Sequence, residues 1–319
     1  MKLVAKCAVL SICAGTIAFG AAVGMLAACG RLEPHPYRGD AAPVAPFEGT
    51  SQLGRPLYAL PDDAAVAQAR KNLAADPKNP RLVLALSLAE AGRKQYREAV
   101  ATDTKGLSAS PDNVELLIER GHREVGLREF AAAQRDLEKA ASLDPKQAQA
   151  FYHLGLAHYF QGQFGGAAAA FEKCRALAKT NDDLIDASNW LYVSLRRADR
   201  PREAAEVLKR ITPQMTNKEP HIAFYLRLIR LYQGAMPEQK VLPPKPVDPN
   251  DVEGELAYDT VAYGVGNWHL YNSPSGSTGV KGRLHAQQLF ESVVTGNAWN
   301  AWGFVGSETE LARIKRTGK

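Results

Sequence analysis

The chain has 319 residues, 45% of them hydrophobic and 23% charged, with a formal net charge of +5. That length can hold one to three domains with a substantial core. The charge is too mild, and too free of basic clusters with interleaved aromatics, to point to nucleic acid as a partner.

Residues 1–30 carry Lys2 and Lys6, then an uncharged apolar run from Cys7 to Cys29 that ends in small residues. This is the layout of a secretory signal. Its end, Leu26-Ala27-Ala28-Cys29, resembles a bacterial lipobox. The resemblance implies a signal peptide over 1–28, removed by cleavage, and a lipid carried by the thiol of Cys29, which anchors the chain to a membrane. Gly30 stands where an Asp would mark inner-membrane retention, so the outer membrane, facing the periplasm, is the expected address. Of the four cysteines only Cys174 lies beyond this region. A single thiol forms no intramolecular disulfide, so the fold must stand on packing. Residues 29–62 contain prolines 34, 36, 43, 46, 56 and 61 and few apolar residues, a composition that predicts an extended tether.

From Asp63 to Gly234 the pattern is helical. Asp76-Pro77, Ser110-Pro111 and Asp144-Pro145 punctuate it at intervals of 34 residues, since Pro ends one helix and presets the entry to the next. Aligned on those prolines, residues 63–79 give one capping helix, with Ala65, Ala69 and Leu73 inward. Three units follow, over 80–113, 114–147 and from Ala148. Ala99, Ala133 and Ala167 hold the same small-residue position in each. Unit one has Asp103 where Leu137 and Phe171 stand, and unit two has Arg120 where Leu86 and Leu154 stand; both predict loosened contacts. A fourth unit over about 185–217 follows a three-residue slip, with Trp190, Leu191, Ala204, Leu208 and Ile211 as its apolar set, and His221–Gly234 reads as a further amphipathic helix.

The third unit reads Phe151-x2-Leu154-Gly155-x2-His158, then Ala167-x3-Phe171. It resembles the tetratricopeptide repeat, which has this period and pattern. The resemblance implies an all-α, right-handed α-solenoid of stacked helix-turn-helix units over 63–234, with its N-terminal signal and disordered tether. First helices line the concave face of such a stack. The expected partner groove comprises Arg81, Leu84 and Leu88 in unit one; Glu115, Ile118 and His122 in unit two; Gln149, Tyr152, Leu156 and Tyr159 in unit three; and Asp186, Asn189 and Arg196 in unit four. That surface suits an extended peptide or a partner helix. Leu84 and Leu88 replace the first elements of the carboxylate clamp used by chaperone-binding members of the family.

Prolines 237, 243, 244, 246 and 249 predict an extended, solvent-washed linker over 235–254. Residues 255–319 resemble a degenerate unit, with Val265-Gly266 matched to the first helix and Ala286-x3-Phe290 to the second. Ser273–Gly282 makes its turn unusually long. Ser307-x-x-Glu310 reads as a capping box for a final, end-capping helix.

No G-x-S-x-G, H-E-x-x-H, phosphate-binding loop or paired C-x-x-C occurs. Gly264-x-Gly266 lacks a preceding strand. His153 and His158, five apart, fall on different helical faces, and His122 reads as a polar residue lining a groove. The expectation is a non-enzymatic, membrane-anchored scaffold without cofactor or metal, resembling repeat-bearing envelope lipoproteins and binding other envelope proteins or peptides through its concave face. The alternative is a small-ligand receptor or enzyme built on the C-terminal module around Trp268, Trp299 and Trp302.

Overall fold

The computed structural model describes residues 45–248, 250–273 and 279–317. The signal segment, Cys29 and residues 29–44 lie outside the described residues, as do 274–278 of the long turn. Among the described residues no helix is long and apolar enough to cross a membrane.

The 34-residue period appears as stacked helix pairs. After α1 (Ala64–Ala75) come α2 (Pro80–Gly92) and α3 (Tyr96–Ala109), α4 (Val114–Gly126) and α5 (Phe130–Leu143), and α6 (Ala148–Phe160) and α7 (Phe164–Ala176). The fourth pair is α8 (Asn181–Arg197) and α9 (Pro201–Leu208). Asn79 and Asn113, one period apart, cap α2 and α4 by accepting from the amides of Arg81 and Leu116 at 3.1 and 3.0 Å, which satisfies donors a helix start leaves unpaired. Within each pair the turn passes through a left-handed residue, Lys94, Arg128, Gly162 and Asp199, at φ of 59, 67, 81 and 57°. The following amide then reaches back to the last turn of the first helix: Gln95 to Glu90, Glu129 to Glu124, Gln163 to His158 and Arg200 to Leu195. This closure uses up the helix's orphan carbonyls.

Small residues let the paired helices touch. Ala99, Ala133, Ala167 and Ala204 are all fully buried. A Cβ on Gly121 would stand 2.7 Å from Leu137, and one on Gly155 2.6 Å from Phe171. The two expected departures prove compensated rather than loose. Unit one puts Ser87 where those glycines stand and Asp103 where the large side chains stand, and the Ser87 hydroxyl donates to Asp103 at 2.8 Å. Arg120 in unit two forms a forked pair with Asp136 at 2.5 and 2.8 Å. On α1 the buried residue is Val66, while Ala65, expected inward, is exposed.

The remaining helices are α10 (Ile222–Tyr232), α11 (Glu238–Val241), α12 (Val252–Asn272), α13 (Val280–Val293) and α14 (Trp302–Thr317). α12 and α13 pack as a pair, with Gly266 against Phe290. The prolines of 235–254 do not leave that stretch washed by solvent throughout. Val241 is fully buried, and the Lys245 ammonium donates to Ser292 O and Thr295 Oγ1, both at 2.6 Å.

Residues 45–62, expected within the tether, are folded. β1 (Phe47–Thr50) and β2 (Pro56–Tyr58) form an antiparallel hairpin with Leu57 and Ala59 buried. The Arg97 amide donates to the buried Glu48 at 2.7 Å, and Gln95 donates to Leu60 O at 2.9 Å, which fastens the hairpin to unit one. Arg55 on its other side donates to Val294 O and Gly296 O at 2.9 and 2.6 Å. One hydrophobic core runs from Leu57 and Tyr96 through units two to four to Val305, and a smaller one sits between units one and two around Val83, Leu107 and Leu116.

Asp103→Leu alone sets a leucine against the Ser87 side chain and is expected to cost about 1–3 kcal/mol. Adding Ser87→Gly recreates the pairing of unit two and should recover most of that loss. Denaturant midpoints of the two variants check this, and equal losses would show that the positions do not share space.

Candidate functional site

The concave face is largely covered by the chain's own C-terminal segment. From Trp302 to Glu310 every residue of α14 is buried, so this first half of the helix is enclosed on all sides, while Leu311 to Ile314 are half-buried and Lys315 to Thr317 exposed. The Ser307-Glu310 pair therefore caps nothing: the helix starts at Trp302, and both residues lie in its interior. α14 packs mainly on the α12–α13 pair, and its other side meets the C-terminal ends of the first helices and the turns that follow them.

Those turns hold it. Lys94 Nζ donates to Asn297 O at 3.3 Å. Arg128, the equivalent residue one period on, donates to Trp299 O at 3.0 Å and pairs with Glu308 at 2.6 Å. Beside Gly162, the next equivalent, Arg313 donates to Tyr159 O and Phe160 O at 3.1 and 2.8 Å. Arg197, just before the fourth turn, pairs with Glu310 at 3.0 Å. The Arg128 and Glu308 side chains are 5% and 0% exposed, so this pair is dry. Trp299 and Phe304 flank the Arg128 guanidinium at 5.8 and 5.9 Å. The hairpin closes the other side: the Gln52 amide donates to Glu308, and Gln52 Nε2 to Thr309 Oγ1 at 2.9 Å.

The expected groove residues divide accordingly. Ile118, His122, Tyr152, Leu156, Tyr159, Asp186 and Asn189 are buried, which corrects their expected role as an accessible lining. His122 stacks on His153 at 4.2 Å and faces Trp302 at 5.3 Å. Burial, followed by the nearby Arg123 charge, pushes the His122 ring well below its usual pKa and His153 down to about 3. Both imidazoles are neutral near pH 7. The Tyr152 hydroxyl donates to Asp186 at 3.1 Å; burial raises that carboxyl to about 8, although the hydrogen bond opposes the rise. The Tyr159 hydroxyl donates to Asn267 on α12 at 3.1 Å. Arg196, half-buried, donates to Tyr271 O and Asn272 Oδ1 at 3.1 and 2.8 Å.

What stays open is the N-terminal end. Arg81 and Glu115 are exposed, Leu84 and Gln149 half-buried, and Leu88 is 38% exposed. Trp299 and Trp302 are consumed by packing: Trp299 meets Tyr96 edge-on at 5.2 Å, and its Nε1 donates to Tyr58 O at 2.9 Å. Among the described residues, a cluster that could hold a metal lies elsewhere. Glu238, His269 and His285 bring their ligand atoms within 4.8 Å of one another. Sequence reading missed this cluster because its members sit on three separate elements with no short spacing to mark them.

Glu308→Gln leaves the Arg128 charge buried without its counter-charge, and is expected to lower stability by about 3 kcal/mol. A urea denaturation midpoint reads the loss. A change below about 0.5 kcal/mol would place the pair in the weak, solvated class of ion pairs.

No family model matches the chain, and no curated protein is similar to it. Among solved structures the chain is similar to MamA. One crystal structure of MamA is 24% identical, covering 45% of this chain and 82% of its own, with a TM-score of 0.41. A structure of MamA AMB-1 is 23% identical, covering 46% and 85%, also at 0.41. A structure of MamA MSR-1 is 21% identical, covering 46% and 82%, at 0.39.

Proposed function

We propose that the protein is a non-catalytic interaction scaffold of the bacterial envelope, lipid-anchored through Cys29 in the outer membrane and facing the periplasm. A partner protein's extended segment or helix docks at the open N-terminal end of the concave face. The observation that carries this reading is the division of that face: α14 and α12 cover units two to four, while α2 keeps Leu88 exposed and Leu84 half-buried beside Arg81. Stacked helix pairs make a long surface of this kind and use it for peptide recognition. The packing of Trp299 and Trp302 into the core supports a scaffold over a ligand platform in the C-terminal module.

Leu88→Glu tests the reading by affinity capture from crosslinked envelopes. It should reduce recovery of the partner at least about tenfold, the scale of an interface anchor, with helicity unchanged. Recovery equal to wild type would remove α2 from the docking surface. Cys29→Ser, run beside Leu88→Glu, should solubilise the protein and leave capture by the repeats intact.

A further inference from the structure

We propose that Glu238, His269 and His285 form a binding site for a divalent transition-metal ion of the zinc class, which staples α11 to the α12–α13 pair. The three ligand residues come from three elements. Glu238 opens the four-residue α11 directly after Pro237, His269 lies in the last turn of α12, and His285 lies in the first half of α13.

The carboxylate is shared between the two rings. His269 Nε2 is 2.8 Å from one Glu238 oxygen and His285 Nε2 is 2.7 Å from the other. The rings stand 4.7 Å apart and nearly perpendicular, at 83°, so the two nitrogens approach the carboxylate from different directions. All three donor atoms fall within a 4.8 Å span. Zinc binds imidazole nitrogen and carboxylate oxygen at about 2.0–2.2 Å, so donors in a tetrahedral shell stand about 3.3 Å apart. Widening each N···O separation by about half an ångström admits the ion between them.

Two imidazoles with one carboxylate is a donor set for zinc and its neighbours. It does not suit calcium or magnesium, which take oxygen ligands. Side-chain exposures of 19, 21 and 41% for His269, Glu238 and His285 leave a solvent-facing side where water completes the coordination. As a plain ion pair with two histidines, so exposed a cluster would contribute little. Yet the chain holds it in register from the C-terminal side of α11: Val241 is fully buried, and beyond it Lys245 is tied to Ser292 and Thr295.

The test is equilibrium dialysis of the full chain against zinc chloride, with cobalt(II) absorption as a second readout. Wild type should bind one equivalent at micromolar zinc and, with cobalt, give the d–d bands of a nitrogen–oxygen site. His285→Ala and Glu238→Gln should each weaken binding at least about tenfold, whereas His158→Ala should change nothing. His285 is the most exposed of the three, so its loss leaves the fold intact, and unchanged circular dichroism verifies this. No binding by wild type at about 100 μM zinc, or undiminished binding by His285→Ala, would overturn the proposal.

Discussion

The structure turns on a buried carboxylate. Glu308 sits in the middle of the last helix with no exposed surface, and a lone carboxylate in that position would cost several kcal/mol. It is tolerable because Arg128 arrives from the turn of the second repeat and the Gln52 amide from the hairpin. Three segments far apart in the chain thus depend on one another. Without α14 the concave sides of α4 and α6 would open. Without the hairpin one Glu308 oxygen would lose its backbone donor.

The repeat makes this possible by periodicity. Each helix pair turns through one left-handed residue, so equivalent positions line up along one edge of the stack at every period. Lys94, Arg128 and Gly162 fall on that edge, and the segment from Asn297 to Arg313 runs past them in order. At the first two a long cation projects and bonds the segment. At the third, Gly162, Arg313 supplies the cation from the segment itself and donates to the carbonyls of Tyr159 and Phe160. An array that commonly presents its inner face to a partner here receives a helix of its own chain.

Much of the solenoid was legible in the sequence. The Asp-Pro and Ser-Pro marks, the recurring alanines and the Gly155–Phe171 pairing are local signals, and helix boundaries follow them closely. Even the departures at Asp103 and Arg120 obey the repeat, since each meets its compensating partner within the same unit, sixteen residues away. What could not be read was long-range. The hairpin has a tether's composition, and its folded state comes from Arg55, Gln52 and Glu48 meeting groups supplied by other elements. The Ser307-Glu310 spacing imitates a cap, but both residues lie inside a helix already begun, where Ser307 is buried and Glu310 pairs with Arg197 and Arg313. The groove residues lie on the first helices, yet Ile118 is buried in the core between units one and two, while His122 is covered by Trp302 of α14 and Tyr159 by α12, a coverage no local pattern encodes. The Glu238 cluster was hidden for the same reason.

The central claim is that α14 is an integral part of the repeat stack and not a loosely attached tail. Amide hydrogen exchange tests it directly, because protection reports the free energy of opening each segment. The amides of Phe304 to Glu310 should exchange as slowly as those of α6 and α12, and should lose protection together with them. Exchange of that stretch in seconds while α6 stays protected would show a detachable helix, and would return His122 and the surface beneath Trp302 to solvent.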